Sequence, residues 1–176
     1  RGGKLEFNGL WEDGSVNAYT KREKNKWSVF MLGGLARQEL MTKDAFSLVA
    51  CHELGHHLGG GPRKKFRWIF KSWATNEGQA DYWASSKCFR RLYENDNNIE
   101  IVKNRLVSPV ASKKCEELWS TEEEVALCKR VAAASHRLGV ILNNGNYVSF
   151  DIKDTSKVKR TYDGHPRGQC RLDTYF

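Results

Sequence analysis

Apolar positions follow two different rhythms along this chain. Short apolar-rich runs at Val16–Tyr19 and Trp27–Leu32 predict two strands, joined as a hairpin by the polar stretch Thr20–Lys26. Further on, the spacing of Phe46, Leu48, Val49 and Leu54 predicts a helix. It opens near Thr42, carries Asp44 in its first turn and stops at Gly59-Gly60-Gly61-Pro62. A second helix is expected from Glu77 to about Tyr93, ending in Asn95-Asp96-Asn97-Asn98. A third opens on Ser120-Thr121-Glu122-Glu123, a Ser-x-x-Glu box, and runs through Val125, Leu127, Val131, Leu138 and Ile141 to Asn143-Asn144-Gly145. A short strand is expected at Tyr147–Ile152. The pattern reads as an α+β fold, a small sheet or hairpin packed on one central helix and further helices. At 176 residues the chain is long enough for one core and short for two, so a single domain over 1–176 is expected. No apolar run reaches 18 residues, which argues against a transmembrane segment.

The first predicted helix contains His52-Glu53-Leu54-Gly55-His56. Positions i and i+4 share one helical face, so both imidazoles can reach a single Zn²⁺ at about 2.0–2.1 Å. Glu53 projects beside that metal, where a carboxylate can take a proton from a metal-bound water. The motif alone also fits a structural metal site or a polar surface, so a third ligand decides. Glu77 and Asp81 in the second helix are again i and i+4. One can ligate while the other accepts the remaining N–H of a ligand histidine. Ala80, Tyr82, Trp83 and Ala84 around them make a solvated acidic face the weaker alternative. The expected set is His52, His56 and Glu77 with water in the fourth position, Glu53 as general base and Asp81 behind a histidine. His57 lies about 100° round the helix and is expected to pack. His136, with no carboxylate or histidine at helical spacing, is expected to be structural.

With these residues in place the sequence resembles the gluzincin metallopeptidases, and more closely the small soluble relatives of the CAAX prenyl proteases known as minigluzincins. Val16-Asn17-Ala18-Tyr19 upstream and His165-Pro166-Arg167-Gly168-Gln169-Cys170-Arg171 downstream complete the resemblance. It implies a minimal gluzincin-type fold and zinc-dependent hydrolysis of peptide bonds. It also implies substrate backbone held along Asn17 and Ala18, and a catalytic role for His165 as donor to the developing oxyanion. Arg171 is expected to buttress the His165 loop or bind substrate, and Tyr162 is the alternative donor. A lysine-rich segment at Lys21–Lys26 and the cysteine content depart from the family pattern.

Five cysteines, Cys51, Cys88, Cys115, Cys128 and Cys170, include no Cys-x-x-Cys pair, which argues against a structural zinc knuckle. Cys51 reads as a small buried hydrophobe, and disulfides are expected within Cys88, Cys115 and Cys128 of an exported protein. The odd count leaves a free thiol or an external partner. A net charge of +8 is gathered at Lys21–Lys26, Arg63–Arg67, Lys113-Lys114 and Lys157–Arg160. Such clusters keep a protein soluble or draw it to an anionic surface, membrane or cell wall. Without a recognisable module or interleaved aromatics, nucleic-acid binding is not expected. Three functions remain: a zinc endopeptidase acting on protein or peptide, a hydrolase of cell-wall peptide cross-links, and a zinc-bound module without turnover. The intact Glu53 argues against the last.

Overall fold

The computed structural model describes residues 3–66 and 70–176. Three strands, β1 (Lys4–Leu10), β2 (Ala18–Glu23) and β3 (Lys26–Leu32), form a sheet in the order β1-β3-β2. β1 runs parallel to β3 and β2 antiparallel, so β2 lies at an edge. The predicted hairpin is present, but its first strand begins at Ala18 rather than Val16 and runs on through Thr20–Glu23, the first part of the expected turn. Lys21 lays its ammonium over the Tyr19 and Phe30 rings, and Arg22 sets its guanidinium 4.8 Å from the Trp27 ring. Cationic side chains that cover aromatics this way can extend a strand that their charge alone would end. β1 itself was not foreseen.

After a short helix α1 (Gly33–Ala36) comes α2 (Lys43–Leu58), the central helix. Thr42 caps it by accepting the Ala45 N–H at 3.1 Å, where the sequence placed its start. Trp27, Val29 and Met31 share one face of β3, and all three are buried. Strands β4 (Arg63–Phe66) and β5 (Phe70–Thr75) form an antiparallel hairpin beyond α2. Most of the basic cluster Arg63–Arg67 is therefore strand; Arg67 lies outside the described residues.

The second predicted helix is built in three consecutive pieces: α3 (Glu77–Trp83), a π-helical segment (Ala84–Phe89) and α4 (Arg90–Tyr93). Then follow α5 (Asn98–Lys103), α6 (Pro109–Leu118), α7 (Glu122–Leu142) and α8 (Gly168–Tyr175). One buried cluster joins Val29 and Met31 of β3, Leu48 of α2, Phe89, Leu138 of α7 and Tyr175 of α8. No helix among the described residues is long and apolar enough to cross a membrane.

Three expectations need correction. The cap of α7 is Thr121, which accepts the Glu124 N–H at 3.3 Å while its hydroxyl donates to Glu124 Oε2 at 2.9 Å. The box thus sits one residue later than read. Tyr147–Ile152 is not a strand. The side chain of Gln169 takes the place of a neighbouring strand there, accepting the Ser149 N–H at 2.9 Å and donating to the Ser149 and Ile152 carbonyls. Cys51 is not a free buried thiol but is bonded to Cys88, joining α2 to the π-helical segment. Cys115–Cys128 is the second disulfide, within the expected set, and Cys170 is the free thiol.

Candidate metal centre

Helix α2 places His52, Glu53 and His56 together, and their donor atoms lie within 4.8 Å of one another, a group able to hold a metal ion. The helix can sit this close to α3 because residue 55 is glycine. A Cβ there would come within 2.9 Å of the Ala80 carbonyl oxygen. Across that contact α3 brings Glu77, capped in place by Asn76, whose side chain accepts the Gln79 N–H at 3.1 Å. Glu77 Oε2 stands 3.1 Å from His52 Nε2, 3.7 Å from His56 Nε2 and 3.5 Å from His165 Nε2. The oxygen is buried, yet none of these nitrogens meets it in hydrogen-bond geometry, and it has no hydrogen-bond partner. A buried carboxylate oxygen without a bond is costly unless something else satisfies it. The donor set, two imidazoles and one carboxylate converging on a point, suits a divalent transition metal.

The far side of each ring is occupied. His52 Nδ1 lies 2.7 Å from Asp81 Oδ1, and His56 Nδ1 donates to the Thr75 carbonyl at 2.8 Å. Each ring can therefore keep its proton on Nδ1 and aim a bare Nε2 at the centre, the tautomer a metal needs. Asp81 accepts from Arg171 through Nε at 2.9 Å and Nη2 at 2.7 Å, and Arg171 Nη2 also donates to Tyr175 Oη at 2.9 Å. Asp81, Arg171 and Tyr175 are all buried.

Charge follows geometry. Burial would drive His52 down, but Asp81 outweighs it and lifts the ring to about 9. Burial and the neighbouring His52 charge press His56 to about 4. Burial raises the Glu53 carboxyl, with Glu77 adding to the shift. Burial opposes ionisation of Glu77, yet His52, His56 and Lys64 together hold it well below the usual carboxylate range. Asp81 is likewise held at about 2, by Arg171 and His52 against burial.

Other expected residues take definite places. Val16, Asn17 and Ala18 line a cleft of about 260 Å³ together with His52, Glu53 and His165. Asn17 gives its carbonyl to Leu32 N at 3.3 Å, so by antiparallel alternation the main-chain groups of Ala18 and Thr20 face the open edge of β2. His165 is brought to the centre, on a loop tied to β4 where Lys65 N donates to Asp163 Oδ2 at 3.2 Å. Tyr162 is exposed. Arg171 reaches the cleft wall, but its guanidinium is taken up by Asp81 and Tyr175, so it braces Asp81 behind His52 rather than the His165 loop. His57 packs between the Trp27 and Trp73 rings at 5.3 and 4.8 Å, and His136 meets the Val148 carbonyl at 3.1 Å. A larger hollow of about 610 Å³ lies between α5, α6 and α7, but none of the metal-centre residues lines it.

Sequence reading missed Lys64, whose Nζ is 2.5 Å from Glu77 Oε1, and the carbonyl of Thr75. It also missed Tyr175, although Arg171 and Tyr175 stand four apart and a helix there would have paired them. Comparison with protein-family models, curated proteins and solved structures found no match to this chain.

Proposed function

We propose that this protein is a zinc metalloendopeptidase of gluzincin type. The observation that carries the reading is the buried, unbonded Glu77 Oε2 facing the Nε2 atoms of His52, His56 and His165. His52, His56 and Glu77 would hold the metal, with Asp81 and the Thr75 carbonyl fixing the two rings. What zinc supplies when bound is Lewis acidity, which polarises the scissile carbonyl and makes the attacking water acidic near neutral pH. The remaining work belongs to the chain. Glu53, raised by burial, takes the proton of the attacking water and passes it to the departing amine. Substrate lies extended against the edge of β2, paired with the outward main-chain groups of Ala18 and Thr20, with Asn17 as a further contact. His165, at the mouth of the cleft, donates to the oxygen on which charge builds.

Two disulfides and the lack of a membrane-crossing helix among the described residues are compatible with an exported protein. Export, protein or peptide substrates and attraction to an anionic surface are part of this proposal. The test is turnover of casein, and in parallel of purified peptidoglycan, by wild type and Glu53→Gln at matched zinc content. We expect casein cleavage to fall by about 10²–10⁴-fold in the variant while zinc stays bound. Release of peptidoglycan peptides alone would move the substrate to cell-wall cross-links. An unchanged rate in Glu53→Gln removes the mechanism. His165→Ala should lower kcat by about 10²–10³-fold without loss of zinc.

A further inference from the structure

We infer that Lys64 is a positioning residue of the metal centre: its ammonium keeps Glu77 to ligation through one oxygen and offsets its charge. The inference rests on the metal-site reading above. Each of the other two ligand residues has a partner on the side away from the centre: Asp81 for His52 and the Thr75 carbonyl for His56. Glu77 has the same arrangement only if Lys64 is counted. The carboxylate is divided, with Oε1 2.5 Å from Lys64 Nζ and Oε2 unbonded among the imidazoles. A carboxylate with both oxygens free could swing to chelate a cation with both, adding a coordination position that an open catalytic site must keep for water and substrate.

Lys64 is held where it can do this. β4 carries it, and the hairpin is fastened at both ends. Asn76 N donates to the Pro62 carbonyl at 3.0 Å, Thr75 Oγ1 to the Gly60 carbonyl at 2.8 Å, and Lys65 N to Asp163 at 3.2 Å. The same hairpin supplies the Thr75 carbonyl and leads into Asn76, the cap of the Glu77 helix. Three carboxylates, Glu53, Glu77 and Asp81, are buried around the centre, and among the described lysines and arginines Lys64 and Arg171 are the ones paired with them. Arg171 is committed to Asp81. Charge compensation of the ligand Glu77 therefore falls to Lys64.

The test compares wild type with Lys64→Met, Lys64→Gln and Lys64→Arg, each loaded with zinc or cobalt(II). Metal affinity is read by chelator competition, and the coordination number by the visible absorption of the cobalt protein, which is stronger for four ligands than for five. We expect Lys64→Met to weaken metal binding by about 10–100-fold and to lose cobalt band intensity as Glu77 becomes bidentate. Lys64→Arg should restore both readouts, and Lys64→Gln, a donor without charge, should fall between. Wild-type affinity and spectrum in Lys64→Met overturn the inference. So does weakened binding with an unchanged spectrum that Lys64→Arg fails to rescue. If Lys64→Met does not fold, wild-type values in Lys64→Gln overturn it equally. A wild-type protein that takes up no cobalt removes the metal-site reading itself, an outcome seen before any variant is measured.

Discussion

Helix α2 ends in two buried arginine–carboxylate networks, and only one of them is left open. At its start, Asp44 receives Arg130 Nε at 3.0 Å and Nη2 at 2.9 Å, while Arg130 Nη1 donates to Asp96 at 2.7 Å and Asn98 at 2.9 Å. The guanidinium also lies 3.8 Å from the Tyr93 ring centre. No buried side-chain nitrogen or oxygen of this network is left without a hydrogen bond among the described residues. Eight residues further on, His52 meets Asp81 and Arg171 in a similar chain, yet Glu77 beside it keeps an oxygen with nothing to bond. Burial and charge pairing do not separate the two regions, because both have them; the unbonded oxygen of Glu77 does. The closed network locks α7 against α2, and the open one adjoins a group able to hold a metal ion.

Breaking the closed network should show the largest effect. Arg130→Ala leaves Asp44 buried with only Arg105, 3.3 Å away, and should cost about 3–5 kcal/mol of stability by denaturant unfolding. Zinc affinity of the folded fraction should stay at its wild-type value; a parallel fall in affinity would mean that the two ends of α2 are coupled. The disulfides extend the comparison. By loop length, removing Cys51–Cys88 as a double Ala variant should cost about 4 kcal/mol and removing Cys115–Cys128 about 3 kcal/mol. Only the first should also disturb metal binding, since Cys51 immediately precedes His52 on α2. Equal metal affinity in both variants would show that the ligand helices hold their spacing without the bond.

Smaller still is Arg171→Met, which leaves Asp81 to His52 alone. Zinc affinity should drop by about 10–100-fold, or about 1.4–2.7 kcal/mol. An affinity unchanged within twofold would make the open network structural after all. The finest test uses pH. Burial, with Arg22 adding, holds His57 at about 4, so the folded state keeps it neutral where the unfolded chain protonates it. Its contribution is fully present above about pH 6.5 and is lost as pH falls toward 4. In melting curves His57→Phe, which keeps the stack between Trp27 and Trp73, should show a shallower acid loss than wild type. Superimposable pH profiles would place the acid sensitivity at other groups.

What could be read from the sequence was what lies within a few residues. The His52–His56 and Glu77–Asp81 pairs are each one helical turn, and the Thr42 cap is three residues from its N–H, so local geometry already fixed them. β1 escaped notice because its pairing is parallel, with β3 across more than twenty residues, and Leu5, Phe7 and Leu10 are exposed rather than buried in alternation. Lys64 looked like one of a run of surface charges because its partner is thirteen residues away around a hairpin. The carbonyl of Thr75 has no sequence signature at all. α6 did leave a signal, Pro109 in the first turn after Ser108, which went unread. The strand expected at Tyr147–Ile152 but not formed shows the converse, apolar residues where one glutamine takes the place of a neighbouring strand.

The π-helical segment sets the phase between the Glu77–Asp81 pair and the Cys51–Cys88 disulfide. An extra residue in a helical turn rotates everything after it by about 100° relative to an uninterrupted α-helix. Glu77 and Asp81 lie before that offset and Cys88 within it. Winding Ala84–Phe89 as ordinary α-helix with no change of length would leave Glu77 and Asp81 in place but turn Cys88 away from Cys51. Deleting one residue ahead of Cys88 closes the bulge instead and keeps the two cysteines in phase. In any chain built on this plan, a single-residue gap there should therefore travel with retention of both cysteines.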